Sequence, residues 1–172
     1  MRQEDSQVSG TAPGNFLNVT RGDGPTVAKS EMAKREGVAL LRENADELLY
    51  GGGKCAGLAV DSWRFRFANG NFYQGIVSFE FPVIFNNKGS VSDALMDAIK
   101  GLLDQKYGSN RSNDSSGEHH LETWSFPETP DSRGEKLIQL NYNWQAGVMS
   151  LTYTNLYYQS LGNPFKVAPG DL

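Results

Sequence analysis

Apolar and polar residues alternate along several stretches of the chain, and this alternation predicts β-strands. Aromatic residues alternate with arginines over residues 63–67, and an apolar row continues at odd positions over residues 73–81. The same period of two recurs over residues 136–144 and 149–153, and residues 120–126 are expected to form a further strand. Because successive side chains of a strand point to opposite faces, each stretch is expected to bury one row and expose the other.

The first two strands meet at residues 69–70 (Asn-Gly), and the length of this turn determines which side chains share a face. A two-residue turn places Phe67 opposite Phe72 and puts the two aromatic rows on opposite faces. A three-residue loop places Phe65 opposite Tyr73 and puts both rows on one face. Since register follows the buried face, the sequence favours the three-residue loop.

Residues 26–50 have a composition that favours a helix, since Ala, Leu, Glu, Lys and Arg dominate. The preceding Asp-Gly-Pro at residues 23–25 is typical of a helix start. Gly37 interrupts the stretch, so it is predicted to form either one helix or two shorter helices that meet there. The glycines at residues 51–53 are expected to end it.

Residues 90–107 are predicted to form another helix. Ser90 or Ser92 can cap its first turn, and Gly108 follows its last turn. The polar residues 109–118 are then expected to form an exposed loop.

The order of these elements predicts an α+β protein. Antiparallel hairpins with helices on one face form a two-layer sandwich, here in the order α-β-β-α-β-β-β with a sheet of about five strands. A single domain is expected over residues 23–160. Residues 1–22 are expected to form a disordered tail and residues 161–172 an irregular tail, since both ends are polar or contain proline and glycine.

A hairpin turn that reads F-x-N-G-x-F-Y is followed by a helix that ends in K-Y-G, a tryptophan strand and a last hairpin. In this order the chain resembles several small uncharacterised bacterial extracytoplasmic proteins and lipoproteins. The matching residues are Phe67, Asn69, Gly70, Phe72, Tyr73, Leu95, Leu102, Leu103, Lys106, Tyr107, Gly108 and Trp124, with the hairpin from Ile138 to Tyr153. The resemblance covers residues 58–158. It implies the fold and an extracytoplasmic compartment, and it brings no shared activity.

The N-terminal residues leave the compartment open between two interpretations. They contain no basic region followed by an apolar stretch, so no signal peptide is recognised in them. A cytoplasmic protein is one interpretation. The other is a mature or truncated chain whose signal was replaced by Met1, in which case a lipid anchor is possible. The resemblance favours the second, with a location in the periplasm, the envelope or outside the cell.

Charge and composition argue against several classes of protein. The 172 residues include 16 Lys+Arg and 20 Asp+Glu, a formal net charge of −4, whereas nucleic-acid-binding proteins usually carry a basic face. No run of about 18 apolar residues is present, so no transmembrane segment is expected. A single cysteine excludes an internal disulfide.

Glu118-His119-His120, with Glu122 nearby, is the cluster most similar to a metal site. Imidazoles and carboxylates ligate zinc and other divalent ions. Adjacent histidines on a strand point to opposite faces, however, so only one of them can join Glu122. The chain has only 2 histidines, so no metal is favoured at these residues and no cofactor is predicted.

Cys55 is the other candidate for chemistry, because it follows Lys54 and a neighbouring lysine can lower the pKa of a thiol. Catalysis would require His119 or His120 close to it in space. The simpler interpretation is a small, buried or half-buried residue that enters the first strand. The glycines before it lack the spacing of a phosphate loop and follow a predicted helix, so they are interpreted as a connector.

The polar face of the predicted sheet supplies a candidate partner-binding surface. Tyr157 and Tyr158 cannot both face inward if a strand continues through them. One of them, together with Arg64, Arg66 and Phe72, could form a surface of the kind that interfaces enrich.

The sequence therefore favours a non-catalytic binding or interaction module with a protein partner. Two alternatives stay open. One is a small enzyme that uses a metal at His119 or His120, or the thiol of Cys55. The other is a small-ligand carrier with an apolar cavity between the helices and the sheet.

Overall fold

The computed structural model describes residues 15–80, 90–109, 111–117, 119–130, 133–143 and 147–161. The helices in these residues are α1 (Pro25–Ala33), α2 (Ser90–Tyr107) and α3 (Leu156–Leu161). The strands are β1 (Asn15–Phe16), β2 (Val19–Thr20), β3 (Val38–Glu43), β4 (Glu47–Gly52), β5 (Lys54–Cys55), β6 (Leu58–Ala68), β7 (Asn71–Phe79), β8 (Ser112–Ser116), β9 (His119–Phe126), β10 (Lys136–Asn143) and β11 (Val148–Asn155).

One antiparallel sheet of nine strands organises these residues. Its strand order is β3-β4-β6-β7-β11-β10-β9-β8, and β5 pairs with β6 beside this path. The first half of the chain supplies the meander β3, β4, β6 and β7, and the second half supplies the meander β8 to β11. Each meander follows a helix, α1 or α2, and the last strands of the two halves pair in the centre of the sheet.

The expected α+β two-layer sandwich, with about five strands, is therefore wrong. The protein is mostly β, and the antiparallel pairing is the part of the expectation that is confirmed. The additional strands come mainly from two places where no clean period of two marks the sequence. The hairpin β3–β4 lies within the predicted helix, and the edge strand β8 lies within the predicted loop.

The predicted helix over residues 26–50 is correct only in its first part, because α1 ends at Ala33. Gly37 and Gly52 have φ values of +74° and +80°, and a Cβ on Gly52 would lie 2.5 Å from the carbonyl oxygen of Gly37. This close backbone approach brings the ends of β3 and β4 together. The hairpin then buries alternate side chains of β4 such as Leu48. Differences in helix propensity are below about 1 kcal/mol per residue, so burial of such side chains overrides them.

The turn between β6 and β7 has two residues, so the expected three-residue loop is also wrong. Asn69 and Gly70 have φ values of +50° and +77°, and left-handed conformations at both positions are typical of a type I′ turn. Phe67 consequently faces Phe72 across the hairpin.

A β-bulge at Tyr73 nevertheless puts both aromatic rows on one face. Arg66 faces Gln74, whereas the next residue of β6 faces Phe72, so Tyr73 is the extra residue of β7. The bulge changes the parity of β7: Phe72 is buried before it, and Val77 is buried on the same face after it. The prediction of a shared buried face is right for Val77 and Phe79 and wrong for Tyr73, because the bulge buries Phe72 in its place.

The buried side of the sheet, the covered face, holds the core. One row of facing residues crosses it from β4 to β9, and all of its members are buried: Leu48, Phe65, Gly75, Tyr153, Ile138 and Trp124. The helices cover this row, with Ala28 and Met32 from α1 and Met96 and Leu103 from α2 in the same core cluster.

The hairpin β1–β2 packs on the covered face, so the predicted N-terminal tail over residues 1–22 is too long. Phe16 and Val19 are buried in the core. Gly75 makes space for this hairpin, since a Cβ there would lie 2.2 Å from the Phe16 ring. Residues 1–14 and 162–172, where the rest of the predicted tails fall, lie outside the described residues.

The second half of the chain follows the sequence prediction more closely. The helix spans Ser90–Tyr107, as predicted, and β9 and β10 lie within a residue of the predicted stretches. In the part of the chain that the structure describes, no helix is both long and apolar enough to cross a membrane.

Gly75→Ala is expected to lower the free energy of unfolding by about 1–3 kcal/mol, because the new methyl group would overlap the Phe16 ring. Urea denaturation measures this change. Gly101→Ala is the control: open space surrounds Gly101 within α2, so this change should raise stability by about 0.5–1 kcal/mol.

A double-mutant cycle checks the cause. In a Phe16→Ala background the ring is absent, so Gly75→Ala should cost much less there. An equal cost in both backgrounds would contradict the proposed overlap.

Candidate functional site

The second side of the sheet, the open face, carries polar side chains that are only half-buried. On the central strands these are Arg64, Arg66, Gln74, Ser78 and Thr152. The register of β6 therefore puts Arg64 and Arg66 on a polar face of the sheet, where the sequence predicted them.

Three arginines surround one carboxylate on this face. Glu47 on β4 lies directly opposite Arg66 on β6. The Glu47 Oε2 atom is 3.5 Å from Nε of Arg64 and 3.4 Å from Nε of Arg66. The guanidinium of Arg42 donates a hydrogen bond to the other carboxylate oxygen. We call Glu47, Arg42, Arg64 and Arg66 the Glu47 cluster.

A chain of hydrogen bonds extends the Glu47 cluster across the centre of the sheet. Arg66 Nη1 donates to the Gln74 amide oxygen at 3.1 Å, and Gln74 Nε2 donates to the Thr154 hydroxyl at 3.0 Å. The chain links β4, β6, β7 and β11 and depends on the bulge that turns Gln74 to the open face. It restricts the orientation of the Arg66 side chain.

The charge of the Glu47 cluster is unbalanced. Burial alone would raise the pKa of the Glu47 carboxyl, but the hydrogen bond from Arg42 and the charge of Arg64 outweigh burial, so its pKa lies below the ordinary value. Glu47 is therefore ionised near neutral pH, and one negative charge meets three guanidinium groups. An open depression of about 590 Å³ adjoins the cluster, and Asp46 and Tyr73 are among the residues that line it.

The other residues predicted for a partner surface lie elsewhere. Phe72 is completely buried on the covered face, where its ring stacks on Tyr153, because the bulge reverses the parity that the sequence suggested. Tyr157 lies in α3 and its hydroxyl accepts a hydrogen bond from Arg133 at 3.1 Å. Tyr158 also belongs to α3, so no strand continues through these tyrosines, and its side chain lies outside the described part.

The two histidines of the candidate metal cluster point to opposite faces, as predicted. His119 is exposed and contacts the Asn143 amide at 3.3 Å, whereas His120 lies on the covered side with Glu122, 3.1 Å from its carboxylate. Glu118 is outside the described residues. Among the residues that the structure describes, no three His, Cys, Asp or Glu side chains are arranged to hold a metal ion.

Glu122 is instead the centre of a buried polar cluster between α2 and the edge of the sheet. Only 2% of its surface is exposed. Arg111 Nε donates to one carboxylate oxygen at 3.1 Å, and Asn113 Nδ2 donates to the other at 2.7 Å. Lys100 on α2 lies 3.6 Å away. Burial alone would raise the pKa of Glu122, but the hydrogen bonds with His120 and Asn113 and the charge of Arg111 outweigh it, so its pKa lies below the ordinary value.

Ser115, His120 and Glu122 form a hydrogen-bonded array. The Ser115 hydroxyl is 2.8 Å from Nδ1 of His120, and Nε2 of the same ring faces Glu122. Serine nucleophiles use such an order of groups. Here, however, Asn113 bonds both ends of the array, through Ser115 at 3.0 Å and through Glu122. Since Ser115 and Asn113 lie on β8 and the other two on β9, we interpret the array as holding the exposed edge strand in register.

Cys55 lies on the short strand β5 and is half-buried, as its simpler interpretation predicted. Burial raises the pKa of the thiol, and the charge of Arg35 opposes this only in part. Four strand spacings separate β6, with which β5 pairs, from β9, a distance of about 19 Å along the sheet. Neither histidine is therefore close enough to form a Cys–His pair with it.

Sequence reasoning missed Glu47 and Arg42 because both fall within the stretch assigned to a helix. The sequence itself carries no strand signal there, since residues 48–50 are all apolar, and the alternation of burial along β4 is visible only in the structure. Comparisons of the chain with protein-family models, with curated proteins and with solved structures give no match.

Glu122→Gln is expected to lower the free energy of unfolding by about 1–3 kcal/mol at pH 7, because the amide weakens the charge-assisted hydrogen bond from the partly buried Arg111. A carboxyl with a depressed folded pKa stabilises the protein above its unfolded pKa, and this contribution is lost as pH falls through the folded pKa. The difference between wild type and variant should therefore shrink below pH 4.5, the ordinary value. Denaturation at several pH values measures it.

Asp114→Asn on the same edge strand is the control for Glu122→Gln. Asp114 is exposed, so its change should cost less than about 0.5 kcal/mol at any pH. A constant difference between wild type and Glu122→Gln from pH 3 to pH 7 would contradict the charge argument.

Cys55 is expected to react with iodoacetamide at least about tenfold more slowly in the folded protein than in urea at the same neutral pH. Only the thiolate reacts, and burial both raises the pKa of this thiol and restricts access to it. Mass spectrometry of timed samples gives the two rates. Faster alkylation of the folded protein would instead indicate an activated thiol and support the enzyme alternative.

Proposed function

We propose that the protein is a non-catalytic binding module that docks a protein partner on the open face of its sheet. The observation that carries this proposal is the Glu47 cluster, in which three arginines share one carboxylate on a half-exposed, preorganised surface. The partner surface that fits it carries carboxylates.

Exposure of the arginines supports a docking role. About a third of each side chain remains exposed at the centre of the face, 34% for Arg64 and 38% for Arg66. Guanidinium groups bind carboxylates through paired hydrogen bonds, and arginine is enriched at protein interfaces. A pure structural ion pair would need one arginine for one carboxylate, and this cluster has an excess of cations.

Preorganisation of the arginine side chains also supports a docking role. The hydrogen-bond chain from Arg66 through Gln74 to Thr154 restricts side chains that would otherwise lose rotamer freedom on binding. The strands that carry these three residues, β6, β7 and β11, each pair with a neighbour on both sides, so the sheet holds their backbone in place. The whole chain has a net charge of −4, whereas the Glu47 cluster is locally positive. An acidic partner is therefore attracted to the cluster and repelled by the rest of the surface.

We also propose that the module works outside the cytoplasm, in the periplasm, the envelope or the medium, with a lipid anchor as one way of retaining it there. The support is the resemblance of the hairpin over residues 67–73 and of the helix ending in K-Y-G to extracytoplasmic proteins. Fractionation of the source cells with an antibody against the protein tests the location. Recovery only from the cytoplasm would contradict it.

The docking proposal predicts that a short Glu-rich peptide binds the open face and that a Gln-rich peptide of the same length does not. In an NMR titration, the amide shifts should be concentrated on β4, β6 and β7. Replacing both exposed arginines, in Arg64→Gln/Arg66→Gln, should weaken binding about tenfold or more, because Arg42 alone then neutralises Glu47. Added salt should weaken binding of the wild type.

The matched control for this titration is Lys34→Gln/Lys54→Gln, which removes two exposed cations outside the Glu47 cluster. It should bind as the wild type does. Three results would each overturn the proposal: no shifts at millimolar peptide, equal binding of the Gln-rich peptide, or equal binding by the arginine variant.

A further inference from the structure

A second cationic cluster lies on the covered face, at the end of the sheet formed by the start of β10 and the end of β11. Lys136 on β10 is 3% exposed, and Tyr153 on β11 is 2% exposed. Lys136 faces Asn155, and Ile138 faces Tyr153, so Lys136 and Tyr153 are diagonal neighbours on one face. Such neighbours lie about 7 Å apart, within reach of long and aromatic side chains.

Among the described residues, both side chains lack the partners that burial requires. In the described residues, Nζ of Lys136 makes one hydrogen bond, to the Gly134 carbonyl at 3.4 Å, and no ion pair. Within the same described part of the chain, the hydroxyl of Tyr153 has no hydrogen-bond partner. A buried ammonium group without a counterion and a buried hydroxyl without a partner both destabilise a folded protein.

Arg21 reaches the same place from the turn before α1. Its Nη1 atom donates to the Arg133 carbonyl at 3.5 Å, and Lys136 donates to the next carbonyl along the chain. Asn155 Nδ2 also donates to the Arg133 carbonyl, at 3.1 Å. Two cations and an amide therefore converge on one peptide segment, residues 133–134.

The pKa shifts of Lys136 and Tyr153 agree with their burial next to Arg21. Burial lowers the pKa of Lys136, and the charge of Arg21 lowers it further, whereas Glu128 opposes them. Burial also raises the pKa of Tyr153, so its hydroxyl keeps its proton and can donate. The charged groups around Lys136 thus do not compensate for its burial.

We propose that Lys136, Arg21 and the Tyr153 hydroxyl form a buried site for a small oxyanion, the carboxylate or phosphate group of a ligand. The anion would be the missing counterion of Lys136 and the missing acceptor for Tyr153. The Phe72 ring, which stacks on Tyr153 with ring centroids 6.0 Å apart, provides an apolar wall for the rest of a small organic ligand. The site is on the face opposite to the Glu47 cluster, so it does not depend on the proposed docking function.

Thermal unfolding in the presence of different salts tests this site. Sodium phosphate, sodium acetate and sodium chloride are compared at equal ionic strength and pH 7.5 with the full chain. Phosphate or acetate should raise Tm by at least about 3 °C over chloride at saturation. Which of the two does so distinguishes a phosphate ligand from a carboxylate ligand.

Variants locate the effect. Lys136→Met should abolish the rise in Tm. Tyr153→Phe should weaken binding of the oxyanion, so the oxyanion concentration that gives half of the rise in Tm should increase at least about threefold. No rise above chloride with either salt would overturn the proposal. A rise that survives in both variants would overturn it too, because the anion would then bind elsewhere.

The unliganded variants give an independent readout. If Lys136 and Tyr153 are unpaired without an anion, Lys136→Met should raise Tm in chloride by at least about 2 °C, and Tyr153→Phe should leave Tm unchanged or higher. Lys100→Met is the matched control, since Lys100 pairs with Glu122 and its loss should lower Tm. A fall in Tm for both Lys136→Met and Tyr153→Phe in chloride would show that the chain itself satisfies these groups, and would contradict the site.

Discussion

The β-bulge at Tyr73 is the constraint on which both faces of the sheet depend. Without it, the two-residue turn of the hairpin would send Phe72 and Val77 to opposite sides. With it, both side chains enter the core, and Gln74 turns to the open face. One extra residue in β7 thus completes the aromatic core and also supplies the middle of the hydrogen-bond chain that orients Arg66. The packing of the aromatic core and the orientation of Arg66 on the open face therefore both depend on the bulge at Tyr73.

The polar clusters described around Glu47, Glu122 and Lys136 differ in how far their charges are balanced by neighbouring groups. Glu47 and Glu122 each have more cationic and amide donors around them than one carboxylate requires, and the pKa of each lies below its ordinary value. Glu122 is buried at the sheet edge, where its surplus is absorbed by Asp104, which binds Arg111 at 2.6 Å. At Glu47 the surplus faces solvent. Lys136 has an imbalance of the same sign, since it is a buried cation with too few acceptors among the described residues. The proposed anions differ in size: a carboxylate-bearing protein surface for the exposed Glu47 cluster, and a small oxyanion for the buried Lys136.

The prediction from sequence succeeded where one face of an element is apolar and failed where none is. Residues 90–107 and the strands of the second half carry a clear stripe or alternation, and the structure has them at nearly the predicted positions. The edge strand β8 consists of exposed polar residues, so nothing in its own sequence indicates a strand. Its conformation comes from pairing with β9 and from the bonds of Asn113 and Ser115 to Glu122 and His120.

By itself, the sequence determined most of the buried rows of the sheet, because the removal of apolar side chains from water is the largest favourable term in folding and is encoded residue by residue. It did not determine that Phe16, Val19 and Phe72 join them. It also determined that His119 and His120 point to opposite faces, since strand geometry allows nothing else. Only the tertiary structure decided that residues 38–52 form strands, that the sheet has nine of them, and which polar residues meet. Glu47 and Arg66 are 19 positions apart, and Arg21 and Lys136 are separated by much of the chain. Such contacts depend on register and strand order, which are set by the packing of the whole sheet and leave no local period in the sequence.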